Sequence, residues 1–67
     1  MTFGKKLKVL RTARGLTLQE LSKRSGVCVM ALSKLERDIN KKPRSSTVNK
    51  LSKSLEISVE ELYNYAN

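Results

Sequence analysis

The stretch LTLQELSKRSGVCVMALSKLE, Leu16 to Glu36, holds two short helical patterns around one glycine, Gly26. Thr17 and Glu20 make the T-x-x-E pattern of a capping box, in which the threonine side chain and the glutamate side chain each satisfy an orphan amide of the first turn. Leu18, Leu21, Ser22 and Ser25 then fall on the inward side of a helix. Gly26 and Val27 interrupt it, and a second pattern begins at about Cys28, with Leu32 and Leu35 as a buried i, i+3 pair. The gap is only about three residues long, and a glycine able to take the left-handed conformation sets the two helices at a steep angle.

Similar signals extend in both directions. Phe3, Leu7 and Leu10, with Val9 as a further candidate, recur at helical spacing among Lys5, Lys6 and Lys8, which predicts a first helix from about residue 3 to Arg14. Gly15 stops it. Beyond the central pair, DINKKPRSS between Asp38 and Ser46 has a proline, several basic residues and no periodicity, and reads as an exposed loop. Ser45 or Ser46 caps a fourth helix carrying Val48, Leu51 and Leu55. Ser58 and Glu61 repeat the capping-box spacing and open a short fifth helix with Leu62, Tyr63 and Tyr65, residues that either close the core or form a dimer surface. The expectation is an all-α, compact five-helix bundle containing a helix-turn-helix, with residues 1–67 as a single domain.

Composition narrows the function. At 67 residues a fold buries only about 60% of the surface its unfolded chain would expose, so the core must be small. All fourteen Lys and Arg lie before residue 56, against three acidic residues, and the last twelve residues add only Glu56, Glu60 and Glu61. Most of the molecule attracts polyanions and one end repels them. A single cysteine and no histidine exclude an internal disulfide, a Cys/His zinc site and a histidine-based triad. No cofactor, metal or small-molecule ligand is expected. No apolar run approaches the ~18 residues of a membrane span, and MTFGKKLKVL lacks the apolar segment of a secretory signal, so a cytoplasmic protein without membrane contact is expected.

The chain closely resembles the five-helix domain of phage repressors and Cro-like regulators, the XRE family. The resemblance is carried by Leu7, Leu10 and Arg11; Gly15 to Thr17; Glu20-Leu21-Ser22; Gly26-Val27; Leu32; Leu35-Glu36; Lys42-Pro43-Arg44; and the closing Leu51, Leu55, Ile57, Ser58 and Leu62. It implies that a recognition helix, about Val29 to Arg37, lies in the major groove of DNA with its first residues facing base edges. Cys28, Val29, Met30, Ser33 and Lys34 are then the base-reading candidates. A helical wheel independently puts 29, 30, 33 and 34 on one face away from the leucines. Candidates for phosphate are Lys41, Lys42 and Arg44 in the loop, with Arg37, Lys34 and Lys23 nearby, and Thr17, Gln19 and Ser46 at helix starts. The family also implies a partly buried ion pair between Arg11 and Glu36, and a homodimer at least on DNA, with half-sites about one helical turn apart.

Two departures from the family stand out. Leu18 occupies a position where many relatives carry a phosphate-binding glutamine, and Gln19 points about 100° away around the helix. Val29 and Met30 replace polar readers. Neither hydrogen-bonds a base, but both can pack on thymine methyl groups. The leading expectation is a sequence-specific double-stranded DNA-binding transcriptional regulator with no enzymatic activity. The alternative is a protein-interaction module, anti-repressor or antitoxin-like, that uses the apolar face Leu18, Val29 and Met30. RNA binding is disfavoured because no aromatics are interleaved with the cations. Catalysis is disfavoured because no base, metal-ligand set or phosphate loop accompanies the serines and lysines.

Overall fold

The computed structural model describes residues 2–40 and 42–63. Among these residues the chain forms five helices and no strand: α1 (Phe3–Ala13), α2 (Leu18–Ser25), α3 (Val29–Glu36), α4 (Ser45–Leu55) and α5 (Val59–Tyr63). The predicted all-α bundle is the observed fold, and the boundaries of the first three helices differ from expectation by no more than a residue or so. Lys41 and Tyr65, a candidate phosphate ligand and a candidate dimer residue, lie outside the described residues.

Local chemistry accounts for most helix ends. Thr2 caps α1 by accepting a hydrogen bond from the Lys5 amide at 3.2 Å. In the capping box of α2, the Glu20 amide donates to Thr17 Oγ1 at 3.1 Å and the Thr17 amide to Glu20 Oε1 at 3.0 Å. The far ends of α1, α3 and α4 close with similar backbone geometry, in which a residue at or just after the cap is left-handed and the next amide reaches the carbonyl five residues back. Gly15 and Leu16 do this for α1, Asp38 and Ile39 for α3, and Glu56 and Ile57 for α4. Asp38 (φ 59°) and Glu56 (φ 58°) adopt this conformation without being glycine, at some conformational cost.

Phe3, Leu7, Leu16, Leu21, Val27, Leu32, Leu35, Val48, Leu51, Leu55 and Leu62 form the core, so every helix contributes to it. The fourth helix corrects one expectation. Its cap is Arg44, whose extended backbone accepts from the Val48 amide and whose side chain makes no capping bond. Ser45 and Ser46 are already inside the helix, because Pro43 and Arg44 end the extended segment earlier than the serines. Leu62 is fully buried and closes the core, which removes it from any dimer surface. Tyr63 is exposed, with its ring 6.2 Å from that of Phe3. Val9 is exposed as well. Ser58 does accept from the Glu61 amide at 3.0 Å at the start of α5.

Candidate nucleic-acid interface

Orientation of α3 begins at the turn before it. Gly26, at φ 78°, ends α2 in the left-handed region. A side chain there would be strained, and glycine is not. Ser25 braces the same turn, since its hydroxyl donates to the Leu21 carbonyl at 2.8 Å and accepts from the Val27 amide at 3.1 Å. Val27 is buried beneath, and Cys28, exposed, becomes the cap of α3 without a side-chain capping bond.

The opposite end of α3 is held by α1. Arg11 and Glu36 are paired: Arg11 Nε donates to Glu36 Oε2 at 2.7 Å and Nη2 to Oε1 at 3.0 Å. Arg11 Nη1 donates to the Leu16 carbonyl at 2.7 Å. One guanidinium therefore ties α1, the α1–α2 turn and α3 together. Both side chains are largely removed from solvent, at 12% and 6% exposure, where a two-pronged charged pair holds geometry best. The hydrogen bonds to Glu36 raise the Arg11 pKa above its ordinary value, burial opposes this, and the attraction of the carboxylate adds to the rise. Gly4 in α1 makes a second seam: a Cβ there would collide with the Leu35 carbonyl and crowd Asp38. The close approach of α1 to the end of α3 requires that missing side chain, a role with no local signal in the sequence.

With Leu32 and Leu35 buried and Glu36 engaged, the rest of α3 is displayed. Met30, Lys34 and Arg37 lie along one exposed line at i, i+4 and i+7, with Arg37 as the cap residue. Val29 and the half-buried Ser33 form a second line beside it. Val29 shares an open groove with Leu18, Thr17 and Gln19 at the start of α2, and with Arg11. The structure thus brings together residues read separately from the sequence as base-facing and phosphate-facing.

The remaining candidates are distributed more widely. Lys23 is exposed one turn after Gln19 on the same face of α2. Lys42 and Arg44 are exposed in the loop, where the Lys42 amide donates to Asn40 Oδ1 at 3.2 Å. Ser46 is exposed in the first turn of α4. Thr17 is limited in what it offers, because its amide is already bound to Glu20. The backbone and side chain of Thr17 hold the Glu20 carboxyl below the usual carboxylate range, aided by Arg24 and Lys23, so one negative charge persists at this edge. Sequence reasoning passed over Ile39, which is 59% exposed just after α3. An apolar residue inside a polar loop carries no periodicity to reveal it. Among the described residues no group of acidic, cysteine or histidine side chains is arranged to hold a metal. No helix among them is long and apolar enough to cross a membrane.

A family model described as helix-turn-helix matches residues 7–62. The chain belongs to the helix-turn-helix family. Within it, the chain is 36% identical over 61 residues to the HTH-type transcriptional repressor RghR of Bacillus subtilis (strain 168), covering 91% of this chain and 45% of RghR. It is 34% identical over 61 residues to the HTH-type transcriptional regulator SinR of Bacillus licheniformis, covering 91% of this chain and 55% of SinR. The chain therefore spans about half the length of the curated relatives it matches. Among solved structures, SinR, the master regulator for biofilm formation, in complex with DNA matches with a TM-score of 0.88 at 33% identity, over 91% of this chain and 97% of that one. These matches fit the resemblance seen in the residues.

Proposed function

We propose that the protein binds double-stranded DNA through α3 and the surrounding cations, as a transcriptional regulator without catalytic activity. The observation that carries this reading is the likeness in fold to a SinR chain solved with DNA, in a chain of net charge +8. In this reading α3 enters the major groove. Cys28, Val29, Met30, Ser33 and Lys34 face bases, while Arg37, Lys41, Lys42, Arg44, Lys23 and Gln19, with the first amides of α2 and α4, face phosphates. Thr17 contributes through its hydroxyl, and Ser46 through the start of α4. The protein acts as a homodimer at least on DNA, in the cytoplasm where its target lies.

Selection of random duplexes by the purified protein, followed by affinity measurements over a salt series, tests the proposal. The expected result is an enriched site with two half-sites and a steep fall of affinity with salt, at about −0.9 in log–log slope for each phosphate engaged. Lys42→Ala or Arg44→Ala should each make the slope shallower by about one per bound subunit, about two for the dimer, while leaving the enriched sequence unchanged. Flat or absent duplex binding overturns the reading and favours the partner-binding alternative on Leu18, Val29 and Met30.

A further inference from the structure

The groove where α2 and α3 begin has polar members in Thr17, Gln19 and Arg11, but its aliphatic part can form no directional hydrogen bond. Leu18, half-buried at the start of α2, and Val29, 36% exposed at the start of α3, line one groove, and Met30 stands next to Val29 at 70% exposure. Aliphatic side chains neither donate nor accept, and a thioether is only a weak acceptor. The surroundings are mainly cationic, with Glu20 in the first turn of α2 as the acidic exception. Lys34 lies one turn along from Met30, Arg37 follows, and the one acidic residue of α3, Glu36, is engaged by Arg11. A small apolar surface framed by positive charge suits a polyanion that itself presents methyl groups, rather than an apolar protein face.

In the major groove, the apolar group that a base offers is the C5-methyl of thymine, and 5-methylcytosine presents a methyl at the same ring position. The two bases differ in the neighbouring exocyclic group, an acceptor oxygen in thymine and a donor amine in cytosine. Leu18, Val29 and Met30 have no means of telling those apart.

Resting on the DNA-binding reading above, we infer that Leu18, Val29 and Met30 form a reader of pyrimidine C5-methyl groups, accepting thymine and 5-methylcytosine and disfavouring uracil and unmodified cytosine. The protein would then respond to cytosine methylation at a position in its site that carries C·G. Methylation there strengthens binding instead of blocking it.

The test uses the site enriched by duplex selection, with the pyrimidine opposite this surface varied in two matched pairs: thymine against deoxyuridine opposite adenine, and 5-methylcytosine against cytosine opposite guanine. Each pair changes only one methyl group. The methylated member of each pair should bind about fourfold more tightly, as expected for burial of one methyl group. The double variant Val29→Ala, Met30→Ala should bring both ratios close to one while keeping the salt slope. Both side chains are exposed, so the variant should fold, and a thermal melt checks this. Ratios near one in the unaltered protein, with salt-dependent binding retained, overturn the methyl-reading inference alone. Ratios that survive the double variant overturn the assignment to Val29 and Met30. A methyl effect confined to the thymine pair overturns the claim that the surface is blind to the exocyclic group. Loss of binding to every duplex overturns the DNA-binding reading itself.

Discussion

The inward and outward sides of α3 are built from different chemistry. Inward, Leu32 and Leu35 are buried, Glu36 holds a two-pronged bond to Arg11, and the Leu35 carbonyl sits against Gly4. Outward, Val29, Met30, Lys34 and Arg37 are exposed side chains on a helix already fixed from behind. Position and chemistry are thereby separated: the inward residues set where the helix lies, and the outward ones can change without moving it. Such a division lets one fold carry different reading surfaces.

Breaking the inward side should have the largest effect. Arg11→Ala leaves Glu36 buried without its partner and should lower stability by about 3–5 kcal/mol, enough to unfold much of so small a domain; a denaturant melt reads this. If the loss comes from the abandoned charge, Arg11→Met with Glu36→Leu should recover most of it. Leu32→Ala, on the same side, should cost about 2–5 kcal/mol by leaving a cavity. Met30→Ala, two positions away, should change the melt by no more than about 0.5 kcal/mol, and the contrast between these two variants is the sharpest statement of the comparison.

Smaller effects probe the edge where α2 meets the groove. Thr17→Ala removes the acceptor for the Glu20 amide and should cost about 1 kcal/mol in the same melt. Because the folded-state pKa of Glu20 is depressed, its contribution is present above the unfolded carboxylate pKa and disappears as pH falls through the folded value. Glu20→Gln should therefore flatten the acid side of the stability–pH curve, from roughly pH 5 downward, and leave neutral-to-alkaline pH dependence unchanged. Arg11 behaves oppositely. With its pKa raised, its contribution is lost only as pH rises through that value, beyond the range of such titrations. Smallest of all, Glu56→Gly relieves a left-handed non-glycine residue and should raise stability by about 1 kcal/mol or less, a thermal shift of a few degrees. Glu56 caps α4 and is neither among the residues that hold α3 nor among those it displays, so the variant should leave DNA binding unchanged.

Features encoded within a few residues were legible in the sequence. The Thr17–Glu20 box, the turn at Gly26 and the leucine spacing of α2, α3 and α4 are local, and the structure places them as the pattern predicts. The cap of α4 was not legible, because adjacent serines are equally good caps on paper and the extended Pro43–Arg44 segment decides the position. Left-handed Asp38 and Glu56 lack the glycine that usually marks such a residue. Gly4 and the dual role of Arg11 depend on approaches between segments distant in the chain, 25 residues apart for Arg11 and Glu36, and only the family resemblance pointed to that pair. For the interface, the wheel of α3 identified the displayed face. That Leu18 and Val29 share one groove is a tertiary fact.

Arg11 also narrows the substitutions that chance can offer this chain. All three guanidinium nitrogens are engaged, two on a carboxylate and one on the Leu16 carbonyl. Lysine would keep the charge but has no planar fork with which to span both acceptors. Mutational drift at this position is therefore confined by shape rather than by charge, and it is this constraint on an inward residue that leaves the outward face free to be re-specified.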